Sequence, residues 1–172
     1  MKIYHEDLRR NKNRGTTLVE LLVVIAIMTV LIGSVVNLRG YLNGKQARQC
    51  AYKLEAALSE IRMETMSKST GEKESVYLNL ENNNGDIYAK QWIKGNEKSD
   101  LIGEQVAVQV TDTKGQVKTL ENGGTVSFYF DRATGGVLEE ATQYIVIEIS
   151  QGTSTYIVEM EPVTGNIECR KK

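Results

Sequence analysis

From Leu21 to Leu38 the chain runs for 18 residues without a charge, inside a segment, TTLVELLVVIAIMTVLIGSVVNL, built mostly from Leu, Val and Ile. As an α-helix rising about 1.5 Å per residue, this run is roughly 27 Å long, about the hydrocarbon thickness of a bilayer. It predicts a membrane-spanning helix. Lys2, Arg9, Arg10, Lys12 and Arg14 precede it against Glu6 and Asp7, a net of +3, which leaves a body of net charge -4 in a chain of -1. A basic flank of this kind holds the N-terminal end in the cytoplasm and sends the remaining residues outside.

The run begins on an acid. Glu20 stands at its very start, and a carboxylate inside a bilayer costs about 2.5 to 3.5 kcal/mol on insertion scales, so it asks for a partner. A cleaved secretory signal needs small residues after its apolar region, whereas NLRGYLNGKQAR follows Val36 without an AxA pattern. An uncleaved signal anchor is the plain alternative.

The residues RGTTLVELLVVIAIMTVLIGSVV resemble the type III signal of type IV pilins and type II secretion pseudopilins: a short basic leader ending in Gly15, a cut before Thr16, a Glu five positions on, then the apolar helix. The resemblance implies that prepilin peptidase removes residues 1–15 and that the Thr16 amine is methylated while staying cationic. It also implies that Glu20 pairs with the N-terminal amine of a neighbouring subunit as a registry device, two charges that are costly to bury alone becoming tolerable as a pair. The family usually has Phe where Thr16 stands, which bears on methylation more than on cleavage.

Beyond the apolar run, Ala47, Cys50, Ala51, Leu54, Ala57, Leu58, Ile61 and Thr65 recur at the i, i+3, i+4, i+7 spacing of one buried helical stripe. No proline interrupts residues 16–67, so the pattern predicts one helix of about 52 residues and roughly 78 Å, with weak points at Gly33–Ser34, Gly40 and Gly44. Its first half, 16–38, is apolar all round, and 39–68 is amphipathic. After Ser67 the period changes to two: SVYLNL, DIYAKQWI, QVAVQVT, TVSFYF, QYIVIEI and STYIVEM read as strands, separated by turn sequences such as NNNGD, TKGQ, NGG, ATGG and SQGTS. Closely spaced antiparallel strands with no helix between them predict a compact sheet over 69–172, packed on the helical stripe. The pattern predicts an α+β fold class, and the resemblance implies a pilin fold. The helix KLEAALSEIRMETMSKSTG, the strand SVYLNL and the ending TYIVEMEPVTGNI look most like a GspH/FimT-type minor pseudopilin or minor pilin, a subunit of a priming or tip complex.

The inventory suits such a subunit better than an enzyme. One His, His5, excludes His-pair zinc sites, two Cys separated by 118 residues make no CxxC, and no two of the 15 glycines sit two positions apart, which removes GxGxxG. No catalytic residue, metal site or cofactor is expected. Asn82, Asn84 and Asp86 in NNNGD form a plain turn more readily than a calcium loop. Cys50 and Cys169 would both be extracytoplasmic, where a disulfide between them persists if the fold brings them together; two separate buried thiols are the alternative. Some FimT-like proteins bind DNA through a C-terminal GRxR motif, but after Gly165 this chain has Asn166 and Glu168 at the arginine positions, leaving Arg170, Lys171 and Lys172 as three basic groups on a flexible end. The expected partners are other pilins or pseudopilins, prepilin peptidase and the inner or cytoplasmic membrane, with DNA as a lesser candidate. Two function classes follow: a fibre subunit of a type IV pilus, secretion or competence pseudopilus, or a signal-anchored extracytoplasmic binding protein with no assembly role.

Overall fold

A computed structural model of the protein describes residues 17–42, 44–67, 76–93, 95–138 and 144–172. Two helices come first, α1 (Leu18–Leu42) and α2 (Lys45–Ser67), followed by nine strands: β1 (Val76–Asn83), β2 (Asp86–Ile93), β3 (Asn96–Gly103), β4 (Ala107–Asp112), β5 (Val117–Thr119), β6 (Thr125–Phe128), β7 (Tyr144–Gln151), β8 (Ser154–Met160) and β9 (Ile167–Lys171). The α+β class is as the sequence predicts. The chain divides into two units, residues 1–40 and 41–172.

In the first unit, α1 starts on a capping box. The Thr17 hydroxyl accepts the Glu20 N–H at 3.3 Å while the Glu20 carboxylate accepts the Thr17 N–H at 3.3 Å, so two donors that a helix start leaves orphaned are satisfied reciprocally. Gly33, Ser34 and Gly40 lie within the helical span and do not end it. The apolar side chains from Leu18 to Ile32 are exposed on every side, from 48% at Val23 to 79% at Leu18. Side chains of α1 are described only as far as Ile32, fewer residues than the roughly 20 a span needs, and among the described residues no helix is long and apolar enough to cross a membrane.

The single helix predicted over 16–67 is two helices. The break falls at Gly44, whose φ of +91° lies in the left-handed region that glycine tolerates. Gly44 donates its N–H to the Gln151 side-chain oxygen at 3.1 Å and accepts the Arg48 N–H at 3.0 Å. It caps α2 against the β7–β8 turn, and a Cβ there would stand 2.4 Å from Ser154 Oγ. Of the predicted stripe on α2, Ala47, Cys50, Ala51, Leu54, Leu58, Ile61 and Thr65 are buried, while Ala57 lies at the margin.

The strands form two antiparallel sheets rather than the one expected: a four-stranded sheet in the order β3-β2-β1-β6 and a five-stranded sheet in the order β5-β4-β7-β8-β9. Helix α2 packs against β1, β2 and β3 of the first and β7, β8 and β9 of the second. Val76, Leu78 and Leu80 on β1, Val126 and Phe128 on β6, and Ile147 and Ile149 on β7 are buried at alternate positions, the period-two pattern anchoring the core. The β1–β2 hairpin closes on Asn84 (φ 56°) and Gly85 (φ 91°), the Asn-Gly pair that a type I′ turn demands. Strands β3 (NEKSDLIG) and β5 (VKT) had no apolar alternation to reveal them. Both lie at sheet edges, where charge discourages pairing with other chains.

Candidate processing and assembly site

The expected cut between Gly15 and Thr16, the leader and His5 lie outside the described residues. What is described is the ground immediately after them: Thr17 and the first turn of α1. Glu20 sits at the third helical position of that turn, with its carboxylate fully on the surface side of the helix start and one oxygen engaged by the Thr17 N–H. An acid here complements the positive end of the helix dipole. The position therefore serves two ends. It caps α1 locally, and it presents a negative group at the rim of an apolar surface.

Both cysteines are free. Cys50 is buried in α2, and a Cβ on Gly103 at the end of β3 would stand 2.7 Å from its Sγ. Cys169 lies on β9 of the five-stranded sheet, opposite Val158 on the neighbouring β8. Burial pushes the Cys50 thiol up to about 12, with the Lys53 ammonium opposing the rise. Burial, and then the Glu55 carboxylate, raise Cys169 as well. Because the folded value for Cys50 exceeds the unfolded value near 9, its neutral thiol stabilises the fold fully below pH 9, and that contribution drains away as pH climbs from 9 to 12. At about 1.4 kcal/mol per unit, roughly 4 kcal/mol is at stake. The urea midpoint of the wild-type chain should fall steeply across that window, and Cys50→Ala should flatten the fall; parallel curves would refute this role for the thiol.

The C-terminal basic group is placed otherwise than on a flexible end. Residues 167–171 form β9, in which Arg170 pairs with Glu159 at 2.8 Å and Lys172, just beyond, pairs with Glu148 at 2.9 Å. Two of the three charges are thus already countered by acids on the same sheet, leaving little for the phosphate contacts that drive nucleic-acid binding. The NNNGD turn spends its side chains on backbone: Asn82 accepts the Gly85 N–H at 2.8 Å and donates to the Leu120 carbonyl at 2.7 Å, while Asp86 accepts the Gln105 N–H at 3.3 Å. Trp92 packs against Tyr77, with ring centroids 6.2 Å apart. Glu139 and Glu140 lie outside the described residues.

One side chain of α2 joins two turns far apart in the sequence. Arg62 donates from Nε to the Gly135 carbonyl at 3.0 Å and from Nη2 to the Thr164 carbonyl at 2.8 Å. The two acceptors belong to turns of matching sequence, DRATGG and EPVTGN, with the same backbone bonding. Asp131 N–H goes to Gly136 and Gly135 N–H to Asp131 in one; Glu161 N–H goes to Asn166 and Gly165 N–H to Glu161 in the other. The repeated x-T-G was the only signal in the sequence.

Compared with known proteins, residues 10–36 match the family described as the prokaryotic N-terminal methylation motif. The match covers the last six residues of the basic leader, the Gly15–Thr16 bond, Glu20 and most of the apolar run. Neither the curated proteins nor the solved structures gave a match.

Proposed function

We propose that this methylation-motif chain is a minor pilin or pseudopilin of the GspH/FimT type: a structural subunit that prepilin peptidase cuts after Gly15, that is methylated on Thr16, and that α1 carries into a type IV pilus, a type II secretion pseudopilus or a competence pseudopilus. The observation that carries this reading is the junction of the motif with α1. A processing signal over 10–36 runs directly into a helix whose apolar side chains face outward all round, a surface that water disfavours and that lipid, then neighbouring helices, would cover. Before processing, the uncharged run Leu21–Leu38 is the membrane anchor, with its N-terminal side cytoplasmic and residues 41–172 outside. In the fibre, Glu20 receives the amine of an adjoining subunit, and the core of residues 41–172, with α2 between two sheets, supplies the outer domain. The role is structural rather than catalytic, at a priming or tip position.

Intact-mass measurement tests it. Membrane protein from a host with prepilin peptidase should give the 157-residue chain beginning at Thr16 plus one methyl group. In a host lacking the peptidase the chain of 172 residues should persist. A full-length chain in both hosts would leave a signal-anchored binding protein instead.

A further inference from the structure

Beside the core, between α2 and the β2–β3 flank of the four-stranded sheet, lies a cleft of about 320 Å³, a size within the range of small-ligand sites. Its inner wall departs from the rest of that sheet. Where β1 presents Val76, Leu78 and Leu80 to the helix, the cross-strand pairs Ala89–Asp100 and Gln91–Lys98 put a methyl, an amide and two charges. Ala56 and Ala57 on α2, like Ala89, leave the space open.

The charges are arranged as a pair of opposite ends. Lys98 lies 3.0 Å from Asp100 and 3.9 Å from Glu60, so two carboxylates share one ammonium. Lys53 lines the same cleft with no carboxylate in ion-pair range among the described residues, and its Nζ donates to the Leu101 carbonyl at 3.2 Å. Between the two sets lies Gln91, 1% exposed. Its Nε2 donates to Glu60 at 2.9 Å and to the Ala57 carbonyl at 3.3 Å, which steadies Glu60, while its Oε1 is buried and receives no hydrogen bond. A buried carbonyl left without a donor costs about 1 to 3 kcal/mol.

We propose that this cleft binds a small zwitterion of the amino-acid type, its carboxylate on Lys53 and its ammonium donors shared by Glu60, Asp100 and the Gln91 Oε1. The ligand supplies the anion that Lys53 lacks, a second cation for the two acids that share Lys98, and the donor that Gln91 Oε1 lacks. An isolated acid or an isolated amine satisfies only one end. The side chain of the ligand would rest on Leu101 and Ile102.

The test uses the full chain in phospholipid nanodiscs, titrated with L-alanine and followed by thermal unfolding. A saturable rise in Tm is expected with L-alanine; sodium acetate and methylammonium chloride at the same concentrations should give none. Lys53→Met leaves the core untouched, since Lys53 is exposed, and should weaken binding roughly tenfold, as the loss of one charge-assisted contact does. Gln91→Leu should do the same without lowering the ligand-free Tm, which separates lost binding from lost folding. The proposal is overturned if L-alanine gives no saturable shift, if acetate or methylammonium alone reproduces it, or if Lys53→Met binds as the wild type does.

Discussion

Glu20→Ala is expected to reduce incorporation into the fibre roughly a hundredfold or more while leaving residues 41–172 folded. Removing one partner of a buried ion pair costs about 3 to 5 kcal/mol, because the other charge stays buried and uncompensated, and each 1.4 kcal/mol is about a tenfold change in an equilibrium. The variant also loses the capping bond to the Thr17 N–H, a loss of about 0.5 to 2 kcal/mol at a helix start. Glu20→Gln separates the two effects. A glutamine keeps the reciprocal hydrogen bonds of a capping box and removes only the charge. If the carboxylate acts by pairing with an amine, Glu20→Gln should be excluded from fibres nearly as strongly as Glu20→Ala. Quantifying the subunit in sheared fibres against the membrane pool measures this, with near-UV circular dichroism of the purified chain as the check on folding. Normal incorporation of Glu20→Gln would reduce the residue to a helix cap.

The second large effect lies at the opposite end of the chain. Gly165 has φ of +65°, and a Cβ added there would stand 1.7 Å from the Gly135 carbonyl oxygen and 2.8 Å from Arg62 Nε. Neither neighbour is free to move: the carbonyl is backbone and accepts the Arg62 bond, and Arg62 also holds Thr164. Gly165→Ala should therefore destabilise the outer domain by about 3 kcal/mol or more, combining the left-handed penalty of about 1 to 2 kcal/mol with the rupture of the contact between the two turns. Urea unfolding of the full chain in detergent should show a lower midpoint with an unchanged slope. Gly115→Ala is the control. It carries a similar φ of +79° with nothing within 4 Å of the added Cβ, so it should cost the backbone penalty alone. Equal losses at the two positions would show that the clasp contributes nothing.

Several parts of this architecture are written locally and were legible as such. The apolar run, the stripe on α2 and the alternation in β1, β6 and β7 each depend on neighbours a few positions away, where the helical and strand periods act directly. The methylation motif belongs to the same class, since it is a linear segment. Strands β3 and β5 were not legible, because an edge strand needs no buried face and its charges resemble those of a loop. The break at Gly44 was one of several weak points that the sequence offered. Gln151 and Ser154, more than a hundred positions away, chose it over Gly33 and Gly40.

The sequence by itself determined an apolar helix that overlaps a methylation motif, followed by an amphipathic helix and a run of antiparallel strands, because periodicity and a linear motif carry that content. The tertiary structure alone decided that the strands divide into two sheets with α2 between them, that Arg62 joins two matching turns, that Arg170 and Lys172 are paired with acids, and that Lys53, Glu60, Gln91, Lys98 and Asp100 line one cleft. The physical reason is range. Hydrogen bonds and charges act over a few ångströms, and only folding brings residues that are tens of positions apart within that distance.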